Sequence, residues 1–429
     1  MLNLPEIALD QYGLSSQHAF LPDIPPLQKL QDPYYSSWEE IVNDLPTRIE
    51  AGTIRQAVDS LPVLSTSRLQ EDADWRRAYV VLAFITHAYI WGGGRPKDVL
   101  PPAVSRPFLE VSEYLELPPC ATYAALNLWN FKMTSPDLDI TDPDNLSVIN
   151  SFTRTKDEEW FFVISVAIEA KGAELIPLML NAVYAATIDD SQRVATLLHQ
   201  LSEGLKELGI LLERMYEKCS PPVFFHQLRP FLAGSKNMAA AGLPKGVFYD
   251  LGGHGEWHQY SGGSNAQSSL IQTFDIFLGI EHSATGEAKS KGQSKGAVGY
   301  IQDMRNYMPG PHRRFLEMLT RISNVRQYAM GHKPNTEVRD AYNTAVMAVG
   351  AFRDKHIQMV SRYIITAART KPTHKSLVEV NLATVTAASQ AQRSDEAPAP
   401  GYSGTGGTDL IPFLKQTRDT TKAAANYTD

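Results

Sequence analysis

Asn335-Thr-Glu-Val-Arg-Asp-Ala-Tyr-Asn-Thr-Ala-Val-Met-Ala-Val-Gly-Ala-Phe-Arg-Asp-Lys-His-Ile-Gln-Met-Val-Ser-Arg-Tyr-Ile-Ile-Thr366 repeats its apolar residues at steps of three and four, the period of a helix and not of a strand. Ala345, Val349, Phe352, His356, Met359 and Tyr363 fall on one face, so an imidazole sits in the middle of an apolar stripe. The same period runs through 75–91, 160–186, 190–218 and 268–281, while strand-like alternation is scarce. The expected fold class is all-α.

The length of 429 residues implies two packed domains, or a large one with a smaller one appended. Thr134-Ser-Pro-Asp-Leu-Asp-Ile-Thr-Asp-Pro-Asp-Asn145 has the turn chemistry of a connector. It suggests a small helical domain over 1–145 and a larger one over 146–429. The segments 284–296 and 389–407, rich in Gly, Ser, Ala, Lys or Pro, read as mobile loops.

A net charge of -7 without a concentrated basic stripe excludes a nucleic-acid surface. Two cysteines, Cys120 and Cys219, supply neither a disulfide framework nor a zinc or iron–sulfur site, and fit a reducing compartment. The N-terminus has neither a signal nor a transit pattern, so the expected location is cytoplasmic. The apolar run 160–187 carries Glu169, Lys171 and Glu174, which argues for a buried helix and against a membrane span. No Walker loop, dinucleotide fingerprint, HExxH or nucleophile elbow occurs in context, which removes support for phosphate, hydride and acyl-enzyme chemistry.

Three constellations remain. A lone histidine on an apolar face is ordinarily a satisfied core residue and only sometimes a metal ligand, and the stripe does not separate the two for His356. Arg353, one turn earlier, could reach a carboxylate on the edge of a planar cofactor whose iron the imidazole holds, or simply lie on a solvated helix edge. In Val223-Phe-Phe-His-Gln-Leu-Arg-Pro-Phe-Leu232, Arg229 stands among Phe224, Phe225, Leu228 and Leu232. It is either a snorkelling arginine or the clamp for the carboxylate of a flat ligand stacked on phenylalanine. Gly262-Gly-Ser-Asn-Ala-Gln-Ser-Ser269 is either a helix cap or a small-residue wall for a planar ligand.

Taken with Glu116-Leu-Pro-Pro119, Tyr123, Trp160-Phe-Phe-Val-Ile-Ser165, Tyr300-Ile-Gln-Asp-Met-Arg-Asn-Tyr-Met-Pro309 and Gly404-Thr-Gly-Gly-Thr-Asp-Leu410, these strings resemble the indoleamine 2,3-dioxygenase family from about Tyr79 onward. The resemblance implies a small helical domain capping a larger one that holds haem b, and the opening of the indole ring of L-tryptophan by dioxygen to give N-formylkynurenine. It further implies His356 as proximal iron ligand, Arg353 as partner of a haem propionate, and Asp275 as a carboxylate on the proximal side able to orient the imidazole. Tyr123, Phe161, Ser165, Phe224 and Arg229 correspond to the substrate pocket, with Leu232, Gly263 and Ser264 lining it, Ser264 also beside the cofactor, and Thr405 in a closing loop. Ser165 is then a polar neighbour of dioxygen, not a nucleophile. His312 in Pro311-His-Arg-Arg314 is read as structural. Asn265 stands where the family commonly has a small apolar residue, which leaves open another indole, a low-activity paralogue or a haem-binding sensor. A monomer is expected.

Overall fold

The computed structural model describes residues 7–282, 299–331, 336–370 and 410–425. The segments 284–296 and 389–407, and with them Thr405, lie outside the described residues.

Helices dominate, as the sequence period requires. Short helices Ser36–Asn43, Leu45–Glu50 and Ile54–Asp59 pack on Asp72–Trp91, whose residues are almost all buried from Arg77 onward. Glu71 and Asp74 close the start of that helix with a reciprocal capping box. The guanidinium of Arg77, 2 % exposed, bonds Glu39 Oε2 at 2.5 Å and Asn150 Oδ1 at 2.5 Å. Phe152 stacks between Phe84, at 4.4 Å, and Phe231, at 5.1 Å. These contacts tie residues before 145 to residues after it, and one hydrophobic core runs through both parts. The stretch 134–145 is the loop of an antiparallel hairpin between β2, Phe131–Met133, and β3, Leu146–Val148. β1, Val99–Leu100, runs parallel to β4, Val247–Asp250, and β5, Gly255–His258, lies antiparallel to β4. All five are two to four residues long, too short to change the fold class.

The apolar run expected as one helix over 160–186 is two, Lys156–Ala173 and Leu175–Thr187. Pro177 accounts for the break: it has no N–H to give and its ring crowds the carbonyl four residues back. Thr155 caps the first helix through the Glu158 N–H, and Asp157, Glu158 and Glu159 sit at its positive end. Ser191–Glu213 lies along Thr336–Val360, the longest helix among the described residues, and the ion pair of Lys355 with Glu213 joins them at 2.5 Å. Past Val360 the chain widens into π turns over Ser361–Thr366. The terminal helix Leu410–Ala423 lies back on Thr336–Val360, held by Asp354 to Lys422 at 2.6 Å and to Arg418 at 3.3 Å.

Candidate active site

A two-lobed cavity opens between these helices, and the lobes meet at Tyr123, Asn265, Ala266, His356, Phe413 and Leu414. The aromatic lobe is completed by Phe161, Phe224, Arg229, Leu232, Gly263, Ser264 and Tyr300. The second lobe is lined by Ser165, Ser268, Phe274, Phe352 and Arg353. The structure therefore gathers residues 123, 161, 224, 229, 232, 263, 264 and 356 around one space, places Ser165 and Arg353 in the adjoining one, and leaves Asp275 outside both linings.

His356, half-buried at the cavity wall, differs from the buried His87 and His312 in what its ring does. His87 is fully used: Nδ1 pairs with Phe231 O at 2.7 Å and Nε2 accepts from the Ala121 N–H at 2.9 Å. His312 pairs with Ser269 Oγ at 3.3 Å and packs edge-on to Phe20, which suits a structural role. Neither nitrogen of His356 has a hydrogen bond among the described residues, and the ring faces both lobes. Burial, with the Arg353 charge adding to it, pushes this imidazole down to about 4. At neutral pH it is an uncharged nitrogen donor facing an apolar space. Among the described residues no group of three His, Cys, Asp or Glu side chains is placed to hold a bare metal ion. One imidazole without a hydrogen-bond partner among the described residues, facing a mainly apolar cleft with arginine nearby, suits a metal already carried in a macrocycle, so the residues present fit haem.

Arg353 lines the second lobe, but its guanidinium is taken up by protein groups. Its Nη2 lies 2.9 and 2.7 Å from the two oxygens of Asp275, Nη1 bonds Thr421 Oγ1, and Asp275 also takes His282 Nε2 at 3.0 Å. The carboxylate expected to orient His356 thus has Arg353 and His282 as its hydrogen-bond partners. The arginine expected at a propionate is engaged with protein groups. Burial alone would raise the Asp275 carboxyl; Arg353 and His282 overcome it and hold it at about 2.

The guanidinium of Arg229 is buried with its carbon 5.5 Å from the Phe225 ring centre, and burial lowers it to about 10, so it stays charged at neutral pH. Phe161 and Phe224 face each other at 4.9 Å, tilted by 50°. Both come from helix turns, and Phe224–Leu228 is itself a π turn, which swings Phe224 and Arg229 to the same side.

The small-residue run serves two purposes at once. A Cβ on Gly262 would stand 2.1 Å from the Leu232 carbonyl, and one on Gly263 2.4 Å from the Leu126 side chain, so these glycines allow protein to approach protein. Ser264, Asn265 and Ala266 then face the cavity, and Ser268 caps Ser269–Phe277 through the Ile271 N–H. The cap and the wall are one segment.

Tyr300, Phe413, Leu414 and Glu169 received no role from sequence. Leu410, Phe413, Leu414 and Thr417 keep a helical period that marked a buried face, but nothing local said which cavity it would close. Glu169 read only as a charge interrupting an apolar run. In the structure its Oε1 accepts from Tyr123 Oη at 3.0 Å and Ser268 Oγ at 2.6 Å.

The indoleamine 2,3-dioxygenase family model matches residues 8–424. The chain is 42% identical to an indoleamine 2,3-dioxygenase of Penicillium citrinum over 99% of this chain and 90% of that one. It is 40% identical to an indoleamine 2,3-dioxygenase of Saccharomyces cerevisiae over 98% and 94%. It is also similar to a 6-hydroxytryptophan 2,3-dioxygenase of Fusarium equiseti, 36% identical over 96% of each chain. No helix among the described residues is long and apolar enough to cross a membrane.

Proposed function

Because the chain belongs to the indoleamine 2,3-dioxygenase family, and so is a haem-dependent dioxygenase of indole substrates, we propose that its own substrate is L-tryptophan and its product N-formylkynurenine. The observation that carries this reading is the aromatic lobe, where Arg229, Phe161 and Phe224 line the same space as His356. A free amino acid offers a carboxylate to the arginine and a flat ring to the phenylalanines, and the dioxygenation site has to lie between them and the iron ligand.

His356 would hold the iron through its neutral ring nitrogen, and haem when bound supplies the activation of dioxygen that no side chain can provide. Phe161 and Phe224 order the indole by removing its faces from water, worth about 2–3 kcal/mol. Arg229 fixes the carboxylate, worth about 1.5–3 kcal/mol for a charge-assisted pair. Together these suit affinities of roughly 40 μM to 3 mM. Tyr123, Leu126 and the terminal helix wall exclude water from the reacting carbons. Ser165 is a polar neighbour of the cofactor, and no residue is required as a general base because the indole N–H can stay in place while oxygen adds at carbon.

A ring-hydroxylated tryptophan is the second reading. Asn265 lines both lobes and offers an amide to a ring hydroxyl, and the Fusarium relative is named for 6-hydroxytryptophan. The test is a titration of the reduced protein with each amino acid, followed spectroscopically and by product assay under air. Tryptophan binding with N-formylkynurenine release supports the first reading; turnover confined to the hydroxylated substrate replaces it with the second. Haem retention with neither amino acid turned over would refute both.

A further inference from the structure

One turn beyond Ser165 on Lys156–Ala173, Glu169 is 2 % exposed and has no ion-pair partner among the described residues. Its Oε2 has no hydrogen-bond partner among them either, while Oε1 carries both contacts, from Tyr123 and Ser268. Burial pushes this carboxyl up to about 7 against the pull of those two hydroxyls. A buried acid without a cation is a cost to folding that an apolar residue or a glutamine would avoid, so its place calls for an explanation in the site.

Its two donors belong to different walls. Tyr123 lines both lobes, and Ser268 lines the lobe of Arg353. The Tyr123 backbone N–H donates to Gln267 Oε1 at 2.9 Å, and Gln267 Nε2 donates to Gly262 O at 2.9 Å. The tyrosine is thereby fastened to the small-residue run at its backbone, through Gln267, and at its hydroxyl, through Glu169. Without the second fastening the ring could turn about its side-chain bonds into the space that a planar cofactor needs.

We propose that Glu169 is a positioning residue of this site: by holding Tyr123 and Ser268 on one carboxylate oxygen it fixes the spacing of two walls of the cleft that receives the haem. The inference rests on reading the cavity as the haem and indole site. It concerns the cofactor's retention, whichever indole is oxidised.

The test uses the holoenzyme and its E169Q, E169A and Y123F/S268A variants, with haem loss followed by transfer to excess apomyoglobin. The amide oxygen of E169Q still accepts both hydroxyls, so its haem-loss rate should stay within about twofold of the parent, whereas E169A should lose haem about tenfold faster. Y123F/S268A should lose haem at least as fast as E169A, since Ser268 also caps Ser269–Phe277, and adding E169A to it should change the rate by less than about twofold, because the two hydroxyls are the carboxylate's contacts. Parental haem loss in E169A, or effects that add fully, would overturn the proposal, as would a lowered melting temperature with haem loss unchanged. Should E169A not fold, parental haem loss in Y123F/S268A would overturn it equally. Tryptophan turnover measured on the same samples judges the substrate reading separately.

Discussion

Arg353 and Asp275 form a buried ion pair in which one guanidinium nitrogen is shared by both carboxylate oxygens, one turn from the residue that faces the cavity, His356. The pair ties Ser269–Phe277 to the longest helix, and through Thr421 Arg353 also reaches the terminal helix, so one guanidinium joins three elements around the cofactor cleft. Asp275→Ala leaves that cation buried without its counter-charge and should destabilise the protein by about 3–5 kcal/mol, read from urea denaturation. Loss of less than about 1 kcal/mol would mean Arg353 finds another anion at no cost. The native carboxyl lies below its ordinary value of 3.8, so its stabilisation is complete above about pH 4 and is lost as pH falls toward 2. Asp275→Asn should remove that acid limb.

His356→Ala should lose tight haem binding, and millimolar imidazole should restore a histidine-like Soret spectrum by filling the space left behind. Retention of a normal five-coordinate spectrum without imidazole would assign the iron to another ligand.

His87, His312 and His356 are held neutral by burial, at about 4, 3 and 4. The unfolded chain takes up protons at these positions near pH 6.5, while the folded haem-free protein refuses them until lower pH. Folding stability should therefore fall as pH drops from about 6.5 toward 4, by up to about 1.4 kcal/mol per pH unit for each histidine. Urea midpoints of the apoprotein across that range check it, and a flat profile would mean the rings are solvated.

Arg229→Ala should raise KM by about 10- to 150-fold and leave the haem spectrum in place, since the lost contact is with the substrate carboxylate. An unchanged KM removes Arg229 from the binding site.

Ser165→Ala should keep most of its turnover. Its hydroxyl donates weakly to the Phe161 carbonyl, at 3.5 Å, and stands beside the Tyr123 hydroxyl, so it has partners without any catalytic step. Abolished turnover with haem still bound would make it a participant in the chemistry.

The helical class was legible because a period of 3.6 survives in sequence, and the arginine among phenylalanines could be picked out because both lie within one short string. The break between Ala173 and Leu175 was missed, because apolar continuity through 160–186 outweighed the signal of Pro177. What was not legible is direction. Nothing in the spacing of Arg353 and His356 says that the arginine turns to Asp275, 78 residues earlier, and nothing in 160–187 says that Glu169 meets Tyr123 and Ser268. Such contacts are set by how helices lie on one another, and a single chain's pattern records the buried face without naming its partner.

Among the described residues three π turns border the cavity: Ala124–Leu128, Phe224–Leu228 and Ser361–Thr366 contribute Leu126, Phe224 and Tyr363 to its walls. Each such turn holds one residue more than a regular helix would and gives poorer hydrogen-bond geometry in exchange for a redirected side chain. The cleft is thus bordered at three places by turns whose hydrogen-bond geometry is poorer than that of a regular helix. Removing a single residue from one of the three would let the helix relax toward its ordinary pitch and turn Leu126, Phe224 or Tyr363 off the wall it now forms, so the shape of the cleft is written in the backbone as much as in the side chains.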